Sequence, residues 1–63
     1  MKTWYCVITT VTDDHTSANI VDTIDAEEPP ISDYRETRRA DIYIDWLSRE
    51  EAEKYVKEAR TAW

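Results

Sequence analysis

The apolar positions of residues 3–12, "TWYCVITTVT", fall on both parities of an extended chain and are mostly β-branched or aromatic, which predicts a β-strand. "DDHTS" then interrupts the run with turn-forming polar residues. With no glycine in the chain, a two-residue hairpin turn requiring positive φ is disfavoured, and a four- or five-residue loop built on a type I turn is expected. Residues 18–25, "ANIVDTID", should return antiparallel to the first strand. "AEEPPISD" breaks the pattern, because Pro29 and Pro30 lack backbone donors and constrain the residues before them. Residues 34–39, "YRETRR", are expected to form an exposed edge strand whose charges guard against unwanted pairing.

In "ADIYIDWLSREE", residues 40–51, the alternation is clear. Ile42, Ile44 and Trp46 form one row, expected to face inward, and Asp41, Tyr43 and Asp45 form the other. Leu47, Ser48 and Glu51 then make a capping box with a hydrophobic residue ahead of it, so a helix should start at Arg49. Ala52, Tyr55, Val56 and Ala59 give that helix one apolar stripe, and Glu50 with Lys54 and Glu53 with Lys57 are i,i+4 pairs in the favourable order. The stripe has only the sheet to pack against. The expected architecture for residues 1–63 is one α+β domain: a small antiparallel sheet of three or four strands with one C-terminal helix packed on one face. The other face stays open. In the first strand both Trp4/Cys6/Ile8 and Tyr5/Val7/Val11 are apolar, so either row satisfies the pattern, and a one-residue change of register exchanges the faces.

Composition narrows the function. Sixty-three residues enclose only a small core and leave little room for a substrate pocket. Fourteen acidic against eight basic residues give a formal charge of −6. That field repels phosphates and anionic membranes and attracts basic protein surfaces, so neither nucleic acid nor membrane is an expected direct partner. The single cysteine, Cys6, offers neither a disulfide nor a zinc cluster. With no signal-peptide pattern at the N-terminus and no membrane-spanning run, the cytoplasm is the expected setting.

The candidates for chemistry are weak. His15 sits in a turn beside Asp13 and Asp14 without a second imidazole or thiol, and Cys6 in mid-strand reads as a small packed hydrophobe. Paired carboxylates acting as a glycosidase need a cleft that raises the pKa of one of them, and a hydrolase would need such a cleft to join His15 to an acid. A phosphate-cradling loop needs glycine. No enzymatic activity, cofactor or metal ion is expected. Arg35, Arg38 and Arg39 are interleaved with Asp33, Glu36 and Asp41 and read as edge guards or salt-bridge partners. Trp4, Trp46 and Tyr55 read as core, with Trp63 either docked or available to a partner.

The carboxylates form the most informative pattern. Asp41, Tyr43 and Asp45 share one strand face with neighbours about 6.6 Å apart. Asp22, Asp25, Glu27 and Glu28 end the second strand, and Asp13 and Asp14 crown its hairpin. If Ile42, Ile44 and Trp46 face the helix, Asp41 and Asp45 project from the open face, with Tyr43 adding aromatic contact area. Ordered carboxylates of this kind fit a Lys/Arg-lined groove that otherwise holds DNA.

"WYCVITTVTDD", "NIVDTIDAEE" and "ADIYIDWLSREEAEKYVKEA" together resemble the small acidic proteins of phages and mobile elements, in particular the anti-CRISPR inhibitors directed at the type I-C Cascade surveillance complex. The resemblance covers length, acidity and order of elements, without a motif whose residues transfer one by one. It implies a DNA mimic, monomeric when free, that occupies a DNA-binding surface of a host defence complex in the bacterial cytoplasm, such as the site reading the protospacer-adjacent motif. The competing expectation is a structural or regulatory protein-protein interaction module, self-associating through an open sheet face that exposes Tyr5, Val7 and Tyr43.

Overall fold

The computed structural model describes residues 1–61; Trp63 lies outside them, as does the side chain of Ala59. Four strands, β1 (Lys2–Val11), β2 (Thr16–Ala26), β3 (Asp33–Glu36) and β4 (Asp41–Leu47), precede one helix, α1 (Arg49–Thr61). They form an antiparallel sheet in the order β2-β1-β4-β3, with α1 on one side, so the chain has the α+β architecture its pattern predicts. The edge strand is shorter than residues 34–39, because Thr37 to Ala40 turn the chain into β4. Residues 27–32 connect the two outermost strands. Six extended residues reach about 20 Å, enough to cross three interstrand spacings of about 4.8 Å each, and the two prolines stiffen the path.

Both hairpin loops have four residues and the same brace. In "TDDH", the Thr12 amide donates to the His15 carbonyl at 2.8 Å, and the His15 amide donates to Thr12 Oγ1 at 3.0 Å. In "TRRA", the Thr37 amide donates to the Ala40 carbonyl at 2.9 Å, and the Ala40 amide donates to Thr37 Oγ1 at 3.0 Å. In each loop the threonine hydroxyl also donates to the same carbonyl. The threonine side chain thus supplies the hydrogen bond that a tight turn would make through its backbone. No described residue has positive φ, as a chain without glycine favours.

Opposed residues of antiparallel strands share a face, so the register settles the parity left open by composition. Val7 pairs with Asp45 and Ile20, Thr9 with Tyr43 and Ala18, and Tyr5 with Leu47. Val7, Ala18 and Ala52 form the core beneath α1, with Tyr5, Leu47 and Val56 packed around them. The helix therefore lies on the side of Tyr5, Val7, Asp41, Tyr43 and Asp45. This reverses the expected orientation: Ile42, Ile44 and Trp46 share the opposite, uncovered side with Trp4, Cys6 and Ile8. Leu47 explains the reversal. It continues β4 by one residue, immediately before the Ser48 cap, so the chain turns towards the side on which Leu47 points. Small side chains then meet small ones, Ala52 and Val56 of the helix on Val7 and Ala18 of the sheet.

Tyr5 and Val7 are consequently not on the open side; Val7 is completely enclosed. Trp4 and Trp46 are half-buried on the uncovered side rather than in the helix–sheet core, and Tyr55 is exposed. A β-bulge falls between the pairs Cys6/Asp22 and Val7/Ile20, leaving Val21 unopposed. The extra residue puts Ile20 on the helix side and Ile24 on the other, so β2 shows no simple alternation, and it distorts a long edge strand. At the helix start the Glu51 amide donates to Ser48 Oγ at 3.4 Å. The i,i+4 ion pairs among described residues are Arg49–Glu53 at 3.2 Å and Lys54–Glu58 at 3.9 Å, in place of the expected Glu50–Lys54 and Glu53–Lys57. Such exposed pairs are screened by water and salt and contribute little, so the exchange costs little.

Candidate protein-binding surface

Among the described residues α1 lies over β2 and β1, touches β4 less and does not reach β3. The β3–β4 half of the helix side is therefore left as a shelf. Asp41, Tyr43 and Asp45 stand along it on β4, as their shared parity requires, and the register adds Tyr34 and Glu36 from β3. Tyr34 opposes Tyr43, with ring centroids 4.9 Å apart and planes tilted by 38°. The Tyr34 hydroxyl donates to Asp41 Oδ1 at 3.0 Å, which fixes that carboxylate on the strand. Tyr34 and Tyr43 keep 49% and 41% of their surface exposed, so both rings offer contact area.

Negative charge concentrates on this shelf. Glu36 directly opposes Asp41, a like-charge pair that costs stability in a sheet. The Tyr34 hydroxyl feels the result: its hydrogen bond to Asp41 above all, then partial desolvation and the charges of Asp41, Glu36 and Tyr43, push its pKa up to about 12. At the end of the shelf, the loop of Asp13 and Asp14 stands beside the loop of Arg38 and Arg39. A shallow cleft of about 200 Å³ between them is lined by Val11, Thr12, Asp13, Thr37, Arg38, Arg39, Ala40 and Asp41. Asp13 and Asp41 thus share one corner of the molecule.

The other carboxylates do not join this group. Asp22 lies on the uncovered side opposite Cys6, its Oδ1 accepting from the Thr23 amide at 2.8 Å. Asp25 shares the helix side but stands on the far edge strand, where it accepts from Thr3 Oγ1 at 2.7 Å. Glu27 and Glu28 follow β2 at the end of the sheet away from the hairpin loops, exposed. Asp22, Asp25, Glu27 and Glu28, expected from the sequence as contact residues together with Asp41 and Asp45, are therefore split between sides and ends and are not continuous with those two.

Several of the carboxylates are nonetheless held in place. Asp33 accepts from the Tyr34 amide at 2.8 Å and pairs with Arg35 at 3.7 Å, the local salt-bridge role expected of that arginine. Cys6 is buried on the uncovered side; burial first, and then the charges of Asp22 and Asp45, push its thiol pKa up, which keeps it protonated and a poor nucleophile. The His15 backbone braces the first hairpin loop, and its side chain is not among those lining the cleft. Among the described residues no group of three or more His, Cys, Asp or Glu is placed to hold a metal ion, and no helix formed by them is long and apolar enough to cross a membrane.

Sequence reasoning missed Tyr34 and Glu36. Their signal was the two-residue spacing in "YRE" ahead of the second braced loop: a four-residue loop T-x-x-A fixes Glu36 opposite Asp41 and hence Tyr34 opposite Tyr43. Comparisons with protein-family models, with curated proteins and with solved structures give no match to this chain.

Proposed function

We propose that this chain is a non-enzymatic acidic decoy that occupies a Lys/Arg-lined DNA-binding groove of a bacterial defence complex, the type I-C Cascade being the partner its resemblance indicates. The observation that carries the reading is the fixed Tyr34–Asp41 pair stacked against Tyr43, with Asp45 and Glu36 beside it. A mimic of a phosphate row needs carboxylates at set positions, because ordering them only on binding would consume part of the affinity. Strand spacing sets Asp41 and Asp45 along one line, and the Tyr34 hydrogen bond holds Asp41. The two tyrosines supply the amphipathic area on which binding hot spots concentrate. The charge of −6 attracts a basic groove and raises the rate of encounter.

A mobility-shift assay with purified type I-C Cascade and a labelled target duplex tests the reading. The wild-type protein is expected to abolish the shifted band. Asp41→Lys with Asp45→Lys should restore it while the circular-dichroism spectrum of the inhibitor stays native. Full DNA binding in a molar excess of wild-type protein, or undiminished inhibition by the double variant, contradicts the proposal.

A further inference from the structure

The helix-free side of the sheet carries an apolar row. Trp4, Ile8, Ile42, Ile44 and Trp46, all half-buried, lie around the buried Cys6 on β1 and β4, the two central strands, and the exposed Ile24 of β2 adjoins Trp4. The side that α1 covers buries only Val7 and Ala18 of the sheet fully. The larger apolar row is thus the uncovered one, an arrangement unusual for a two-layer domain, in which apolar sheet faces are buried against another layer.

The charge distribution indicates what covers it. By strand parity the ionisable side chains on this side are Lys2, Asp22, Asp33 and Arg35, two of each sign, all at the margins of the apolar row. This side is neutral although the chain carries −6. Two copies brought together by these sides would keep their excess carboxylates directed away from the interface. The molecule measures 38 by 24 by 13 Å, so its broad side sets the upper bound on what such a contact can bury, on the scale of the roughly 800 Å² that each partner gives to a standard interface.

From the neutral apolar side of an acidic molecule, we infer that the chain forms a symmetric homodimer, the sheets packed face to face about a two-fold axis with a helix on each outer side. An isologous contact needs only one self-complementary patch, and aligned sheets interdigitate side chains such as Ile8, Ile44 and Trp46 at about 10 Å separation. The inference is independent of the decoy reading. It replaces the expectation of a free monomer, and leaves the Asp41–Tyr43–Asp45 shelf on the outer surface of each copy.

Sedimentation of the full chain between about 10 and about 500 µM tests it by mass action. The wild-type protein should reach twice the 7.5 kDa chain mass. Ile44→Lys should remain at the single-chain mass, and Tyr55→Lys, exposed on α1 on the other side, should dimerise as the wild type does. A wild-type monomer throughout, or a folded Ile44→Lys variant that still dimerises, overturns the inference. Should Ile44→Lys unfold, methyl NMR of the wild type decides the matter: the Ile8, Ile42 and Ile44 resonances should shift with concentration while Val56 stays fixed, and the converse pattern overturns it.

Discussion

The hydroxyl of Tyr34 binds its proton more tightly than an ordinary phenol, because Asp41 accepts its hydrogen bond and Glu36 adds negative charge nearby. A folded-state value of about 12 stands above the usual value of about 10 for an unfolded chain. The favourable contribution is therefore complete below pH about 10 and is lost as the pH rises through about 12. Absorbance titration should show Tyr34 ionising at about pH 12. Asp41→Asn should lower that value towards about 10, since an amide carries no charge and accepts the hydrogen bond less strongly than a carboxylate. A titration unchanged by the substitution would mean that Asp41 is not the anchor of the shelf. At the same scale, the Thr9 hydroxyl is enclosed without a hydrogen-bond partner among the described residues, a local cost in a chain with few fully buried side chains.

At the scale of elements, α1 depends on its cap and on a narrow strip of small side chains. A 13-residue helix is marginal in isolation, so Ala52 and Val56 must supply tertiary contact, and Ser48 must satisfy an amide that the helix leaves unpaired. Ser48→Ala should lower stability by about 1 kcal/mol in a denaturant titration, with the slope of the transition unchanged. No change would show that water caps this end equally well. The cap was readable because Leu47, Ser48 and Glu51 occur together. So was the first hairpin, from the turn-forming "DDHTS" between strand formers, whereas the loop of Thr37 to Ala40 overlapped the expected edge strand. The side of the sheet that α1 covers was not readable from Ile42, Ile44 and Trp46. That row is the more hydrophobic one, and hydrophobicity alone places it inside. The deciding residue is Leu47, whose parity sets the direction of the chain into the helix. Nor did "ANIVDTID" reveal that a bulge at Val21 exchanges its faces, since apolar residues occupy both parities there. The shelf was half legible: the common face of Asp41, Tyr43 and Asp45 follows from spacing, whereas its neighbours Tyr34 and Glu36 follow from pairing with another strand.

Over the whole molecule, charge and apolar area occupy different sides. The helix-free side is apolar and balanced in charge. The opposite side carries α1 and, next to it, the tyrosine and carboxylate shelf, with the acidic loop of Asp13 and Asp14 at its end. A molecule divided in this way can self-associate through one side and present fixed negative charge through the other. If that charge substitutes for DNA, affinity for the defence complex rests on screened attraction between carboxylates and a basic groove. The measurement that tests this most directly is the salt dependence of the Kd between the wild-type protein and purified type I-C Cascade. Between about 50 and about 300 mM salt the Kd should rise by at least about tenfold. A Kd that stays constant over that range would contradict charge mimicry.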